Sequence, residues 1–407
     1  MPSTPDDALI FEGLKVIDAA SWIAGPVAAT ILADFGASVI KIEQPGVGDP
    51  YRRLADLPGT PKAPVNYDWV MDARNKRGIA LNLKSEEGRD ILLKLVRECD
   101  VFVTNQPPPM RRAMRLTYAD LAPVNERMIY ASLTAYGETG PDADREGFDG
   151  VAWWARSGLM DLVRSPGSVP GGSVPGMGDH PSAVSLYAAI VTALMRRERT
   201  GKGGHVHTNL LSNGLWSNAC LAQAGFVGGE YSQLRSASRI VSPNRNVYDT
   251  ADGRLLQLYM VRTQPELDAM LIAAEAGDIL ADPRFGDAEG RAAHMSEFIE
   301  ALRALFLTRT AGEWMAAFRA ANVPVSHVAE VEDLPNDPQI HAIGAVERPN
   351  YEAPEGHYII RHPVFVDGLA RVGPKPAPEI GEHTDEVLAE LGDTPEMIAA
   401  AHANGVV

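Results

Sequence analysis

A strand–helix–strand unit near the N-terminus is the feature that most restricts how this chain can fold. Leu14-Lys-Val-Ile-Asp18 is a short apolar run and reads as a buried strand. Gly25-Pro26 opens an apolar segment that continues to about Phe35, with Ala28, Ile31 and Leu32 on one side. Proline is tolerated in a first helical turn, and Gly36 supplies a C-terminal stop. Ser38-Val-Ile-Lys-Ile-Glu43 is the next strand. Two strands joined through a helix pair in parallel, because an antiparallel pair needs only a tight turn. The alternation continues with the strand Gly78-Ile-Ala-Leu-Asn-Leu83, a helix from Glu86 to Cys99, and the strands Asp100-Val-Phe-Val-Thr104 and Met128-Ile-Tyr-Ala-Ser-Leu133. The expected fold class is therefore α/β, with helices on both faces of a parallel sheet.

After His207 the pattern changes. Leu210 to Phe226 reads as one apolar helix, and Gly228 to Arg245 as a loop. Val247-Tyr-Asp-Thr and Leu255-Leu-Gln-Leu-Tyr-Met260 flank Ala251-Asp252-Gly253, a hairpin signal. Helical patterns follow at about Glu266–Glu275, Ala292–Thr308 and Gly312–Ala321, and a last one at about Thr384–Ala403. These segments predict a second, smaller α/β domain, and 407 residues are enough for two cores.

The net charge of −16 argues against a nucleic-acid partner. No apolar run approaches 18 residues, so no membrane span is expected. Cys99 and Cys220 cannot build a disulfide framework; Cys220 lies in an apolar helical context and is expected in a core. Met1 to Leu9 is polar and acidic, unlike a signal peptide, and the expected setting is cytoplasmic. No metal-ligand spacing is present, so no metal is expected.

The chemistry-bearing candidates are few. Gly176-Met-Gly-Asp-His-Pro181 precedes the helical run Ala183–Arg199, so Pro181 is expected at the first helical position, with Asp179 and His180 at or just before the N-cap. A helix N-terminus favours an ionised carboxylate. Asp179 is then either a cap or a nucleophile. The loop Ser21-Trp-Ile-Ala-Gly-Pro26 is either a tight connection or a source of ligand-binding N–H groups; it is not G-x-G-x-x-G. Arg74-Asn-Lys-Arg77 is either a solvated turn or a phosphate or adenine contact, and Arg111, Arg112 and Arg115 divide in the same way. His205 and His207 alternate along a strand as structure, and Trp153 and Trp154 read as core or interface with a substrate wall as the other reading.

Several blocks, in order along the chain, resemble the class III CoA-transferases. They are Leu14-Lys-Val-Ile-Asp18, Ala24-Gly25-Pro26, Asp34-Phe-Gly-Ala-Ser-Val-Ile-Lys-Ile-Glu43, Asn75-Lys-Arg77, Gly147-Phe-Asp149, Gly178-Asp179, Arg199-Thr-Gly-Lys-Gly203 and Gly381-Glu-His-Thr-Asp-Glu-Val-Leu388. The segment from about 225 to 330 matches loosely. The run from Gly147 to His180 is most similar to the branch acting on phenyllactate and 2-hydroxyisocaproate. The resemblance implies a large Rossmann-like domain built from both chain ends (1–208 and 353–407). It also implies a small inserted domain (231–328), linkers at 209–230 and 329–352, and an interlocked homodimer.

For the site, the resemblance places the family's nucleophile on Asp179, which would form a mixed anhydride with the acyl group of an acyl-CoA. It implies coenzyme A contacts at Ile23 and Ala24, Gln44 (where many relatives carry arginine), Asp72, Ala73, Arg74 and Asn75, Asn105 and Gln106, Arg112, and Thr134, Ala135, Tyr136 and Gly137. The partners implied are an acyl-CoA and a small carboxylic acid. The glycine-rich lid of formyl-CoA transferase has no counterpart here. Racemases of the same family use a histidine where this chain has Phe148, and a phenyl ring cannot exchange an α-proton. Alternatives to intermolecular transfer are intramolecular CoA transfer, 2-methylacyl-CoA racemisation, and a non-catalytic acyl-CoA-binding protein. Arg235, Arg239, Arg245 and Arg262 could pair with a distal carboxylate of a dicarboxylic acid, or could be surface contacts.

Overall fold

The parallel sheet is present and has six strands. In the computed structural model, which describes residues 9–236, 240–243, 246–258 and 263–407, they are β1 (Lys15–Asp18), β2 (Ser38–Glu43), β3 (Arg77–Ala80), β4 (Val101–Thr104), β5 (Ile129–Thr134) and β6 (Gly204–Asn209). Their spatial order is β3-β2-β1-β4-β5-β6, and every pair is parallel. β1 lies between β2 and β4, with Asp18 opposite Lys41 on one side and Val103 on the other. This is the Rossmann order, in which the chain reverses its direction of travel across the sheet between β1 and β4.

Alternate strand residues go to opposite faces, and the core divides accordingly. Val16, Val39, Val101, Val103, Ile129 and Ala131 pack under α1 (Ala24–Asp34) and the long helix α3 (Asp179–Thr200). Ile17, Ile42, Ile79, Phe102 and Tyr130 pack against α2 (Glu86–Glu98) through Ile91, Leu92, Leu95 and Val96. Every residue of α1 is buried, and its small side chains (Ala24, Gly25, Ala28, Ala29, Ala33) suit a helix enclosed on all sides. α2 starts on a Ser85 cap whose side chain accepts the Gly88 N–H.

Four sequence expectations need correction. α3 begins at Asp179 rather than after His180, so Pro181 occupies the third helical position, still inside the first turn where its missing N–H breaks no bond. The single helix expected over Leu210–Phe226 is two, Leu210–Ser217 and Ala219–Phe226, meeting at Asn218. The terminal helix also splits, into Thr384–Glu390 and Pro395–Ala403, because Gly392 takes a φ of +87° and Pro395 starts a new first turn. Cys220, expected in a core, is exposed on the second of the two Leu210–Phe226 helices, a helix with no buried residue. Apolar composition there marks a surface, not an interior.

The chain divides into two compact units. One comprises residues to Val163, Pro170–Gly229 and Pro338–Val407; the other comprises Arg164–Val169 and Glu230–Asp337. The second unit has an antiparallel sheet of β7 (Val247–Asp249), β8 (Leu255–Leu258) and β9 (Val325–His327), with the expected hairpin between β7 and β8. Helices α4 (Gln264–Ala273), α5 (Met295–Phe306) and α6 (Ala311–Ala320) close over an aromatic core of Tyr248, Phe298, Phe306, Trp314 and Phe318. Arg235 ends a short helix, Ser232–Arg235; Arg239, Arg245 and Arg262 lie outside the described residues.

Candidate active site

In open α/β sheets, ligands bind beyond the carboxyl ends of the strands, at the point where the strand order reverses. Here that point is flanked by the loop after β1, Ala19–Ile23, and the loop after β4, Asn105–Pro107. The two loops are stitched together: the Asn105 side chain accepts the Ser21 N–H at 2.8 Å and donates to the Ser21 carbonyl at 2.6 Å, and Gln106 donates to Ser21 Oγ at 3.2 Å. Trp22 is held in the left-handed region at φ 64°, with its N–H donated to Asp49 at 3.0 Å. Non-glycine residues rarely adopt this conformation, and strain of this kind concentrates at functional sites. A pocket of ≈ 290 Å³ opens at this point. Its lining includes Ile23, Ala24, Asn105, Gln106, Thr134, Ala135, Phe148 and Asp179. These residues come from five separate stretches of the chain.

Asp179 reaches the pocket because of how α3 begins. Gly178 precedes it and donates its N–H to Asp149 at 3.0 Å. A Cβ on Gly178 would stand 2.5 Å from Cγ of Trp153, so only glycine allows the helix mouth to close onto that indole. Trp153 and Trp154 are stacked and buried, which settles them as core under the site. They belong to a single π-helical turn, Gly150–Ala155, a geometry common beside functional sites.

Asp179 differs from the sequence expectation of a readily ionised carboxylate. Burial raises its pKa to about 7, and the charges of Asp149 and Asp72 add to the rise, while His180 opposes it. Desolvation and two like charges outweigh the helix N-terminus. His180 is held in the opposite sense. Burial alone would lower its pKa, but a hydrogen bond and charge from Asp72, together with the Gly176 carbonyl, raise it to about 9. Its Nε2 lies 3.3 Å from Asp72 and its Nδ1 3.0 Å from the Gly176 carbonyl oxygen. Asp72 in turn accepts the Tyr51 hydroxyl at 2.5 Å. A Tyr51–Asp72–His180 chain therefore sets a cation next to the carboxylate. Sequence reasoning did not find it, since the three residues are far apart along the chain and only His180 lies in a recognisable motif.

The other expected contact residues fall into two groups. Ile23, Ala24, Asn105, Gln106, Thr134 and Ala135 line the Asp179 pocket. Gly137 donates its N–H to Thr134 Oγ1 at 2.9 Å, and the Tyr136 ring carries the Arg145 and Arg156 guanidiniums at 5.4 and 4.9 Å. Asp72, Ala73, Arg74 and Asn75 do not line that pocket. Ala73 is buried, Arg74 is paired with Asp34 at 2.6 Å, and Asn75 donates to the same carboxylate at 2.7 Å. Gln44 is exposed in a turn, and Arg112 pairs with Asp144 at 2.6 Å. The Arg74–Arg77 cluster is not a solvated turn, because Arg74 and Lys76 are both buried and Lys76 pairs with Asp18 at 2.9 Å. Arg111 pairs with Glu138, and Arg115 with Glu86. His205 hydrogen-bonds Ser132 Oγ at 2.7 Å and stacks on Tyr118, consistent with a structural role.

Comparison with known proteins assigns this architecture. A profile described as CoA-transferase family III matches residues 11–384. The chain is 32% identical over 394 residues to (R)-2-hydroxy-4-methylpentanoate CoA-transferase of Clostridioides difficile, covering 96% of this chain and 97% of that one. It is 33% identical over 396 residues to cinnamoyl-CoA:phenyllactate CoA-transferase of Clostridium sporogenes, covering 96% and 95%. A crystal structure of a CAIB/BAIF family protein from Brucella suis superposes with a TM-score of 0.82 at 27% identity, covering 95% and 100%. With its sheet, its switch-point pocket and these similarities along nearly its whole length, the chain belongs to CoA-transferase family III and is an enzyme of that family.

Proposed function

We propose that Asp179 is the nucleophile of an intermolecular CoA transfer, and that the switch-point pocket receives the pantetheine end of an acyl-CoA. The observation that carries this reading is the placement of a lone helix-mouth aspartate in a pocket whose lining holds one other carboxylate, Glu146, and no histidine among the described residues. One Asp179 oxygen attacks the thioester carbonyl carbon; the C–S bond breaks, and CoA leaves as the thiolate with the bonding electrons. The acceptor carboxylate then attacks the aspartyl carbonyl of the mixed anhydride, releases the donor acid, and forms a second anhydride. The thiolate attacks the acceptor's carbonyl carbon, which completes the new thioester and returns Asp179 as a carboxylate. A pKa near the working pH gives a carboxylate that is both available and nucleophilic. The His180 cation favours its ionised form.

Racemisation has no support from the pocket. Phe148 occupies the racemase histidine's position, 59% exposed, with its ring edge-on to Trp22 at 5.5 Å. A medium-sized 2-hydroxy or aromatic acid is the proposed acceptor, in line with the relatives' named substrates. The proposed assembly is the homodimer, and exposed Trp216 and Phe226 on the Leu210–Phe226 helices, with Val227 just after them, are candidate apolar contacts for it.

The test is to incubate the protein with a panel of acyl-CoAs, with and without hydroxylamine or borohydride, and follow intact mass beside Asp179→Ala. A trapped change on the Asp179 peptide of the wild type alone is expected. Equal CoA release from Asp179→Ala overturns the assignment.

A further inference from the structure

A thioester has two arms, and the pocket at the switch point serves one of them. The other must lie on the far side of the carboxylate. A second cleft of ≈ 300 Å³ is lined by residues that follow those of the first along the same two helices. Where Ile23 and Asp179 face the first pocket, Val27 and His180 with Val184 face the second. Residues lining the two spaces come close together. A Cβ on Gly176 would meet the His180 ring at 2.9 Å and Cδ1 of Ile23 at 3.4 Å, so Ile23 of the first lining and His180 of the second both lie against Gly176.

The lining of the second cleft states what it accepts. Val27, Ile31, Met71, Val184 and Ile360 supply aliphatic surface. Its cationic groups are already engaged: Arg74 with Asp34 at 2.6 Å, Arg361 with Glu347 at 2.8 Å, and His180 with Asp72 at 3.3 Å. A distal carboxylate entering here would lose its hydration and find every one of these cations paired, which is unfavourable. An apolar group loses nothing on entry, and the volume is at the small end of ligand sites.

We propose that this α1–α3 cleft is the acyl-side specificity pocket, taking the branched or aromatic side chain of a monocarboxylic acid while CoA occupies the first pocket. The inference rests on Asp179 as the nucleophile. Closing the cleft without touching the CoA side therefore changes which acyl group is used, and leaves the handling of CoA intact.

The experiment measures hydroxylamine-dependent CoA release from acetyl-CoA, 4-methylpentanoyl-CoA and 3-phenylpropanoyl-CoA, for the wild type, Val184→Trp and Met71→Ala. Val184→Trp fills the cleft, and the kcat/KM ratio of either bulky donor to acetyl-CoA is expected to fall at least about tenfold. Met71→Ala enlarges it and is expected to move the ratio the other way, so the prediction survives misfolding of either variant. A ratio unchanged in both variants, or three donors slowed equally, overturns the pocket assignment. The Asp179→Ala control is read separately, on CoA release itself, so failure of the nucleophile and failure of the cleft give different results.

Discussion

At the scale of single residues, the raised pKa of Asp179 ties activity to stability. Burial and the Asp149 charge hold its folded-state pKa at about 7, above the ordinary aspartate value of 3.8. The folded state therefore binds this proton more tightly than the unfolded state does. That contribution to stability is complete below about pH 4 and is lost as the pH rises through 7. Replacement of the carboxylate by its neutral isostere, Asp179→Asn, is expected to raise stability at pH 8 by on the order of 1–2 kcal/mol, and with it the melting temperature, and to change little at pH 4. Thermal melts at the two pH values check this. The same variant is expected to lose kcat/KM by about a thousandfold or more. For the wild type, kcat/KM is expected to rise as Asp179 ionises near pH 7 and to fall as His180 deprotonates near pH 9. In His180→Gln the upper limb disappears and the lower limb moves to higher pH, because a cation favouring ionised Asp179 is gone. A lower limb that stays in place refutes the role given to His180.

At the scale of elements, the site depends on how closely α3 can approach the turn beneath it. Gly178 sits against Trp153 with no room for a methyl group. Gly178→Ala is expected to cost about 1–3 kcal/mol of stability and to displace Asp179, lowering kcat more than it raises KM for the acyl-CoA; denaturant melts and steady-state kinetics measure the two effects. Sequence periodicity located α1 and α3, but not their first residues. Apolar spacing reports which face of a helix is buried, whereas the starting residue depends on which groups satisfy the first N–H donors. Here Asp149, twenty-nine residues upstream, takes the Gly178 N–H, and no local pattern signals that bond.

At the scale of the whole molecule, the buried ion pairs under the sheet join segments that the sequence leaves apart. Lys76 pairs with Asp18 at 2.9 Å and donates to the Pro26 carbonyl, tying β1, the start of α1 and the β3 entry to one ammonium. Lys41 does the same for Asp49 and the Ala20 carbonyl. Removing one partner leaves an uncompensated buried charge, so Lys76→Met is expected to cost about 3–5 kcal/mol, read from denaturant unfolding. The proposed pairing of subunits predicts two chains per particle by light scattering. If the subunits interlock, dilution is expected to yield no folded monomer, because separation requires unfolding.

The sequence by itself determined the class of fold, since helix and strand periods are local and a helix between two strands makes them parallel. It also placed the aspartate within a turn of a helix start, because the helical apolar run from Ala183 follows it directly. Tertiary structure alone decided what that aspartate experiences. Its pKa reflects Asp149 and Asp72, which reach it only through folding, together with desolvation that no window of sequence contains. The arginines and lysine of the 74–77 cluster show the same limit. Their charge is legible in the chain, but whether a cation meets a ligand or a carboxylate depends on which segment the fold lays beside it. In this fold, Asp34 and Asp18 arrive first.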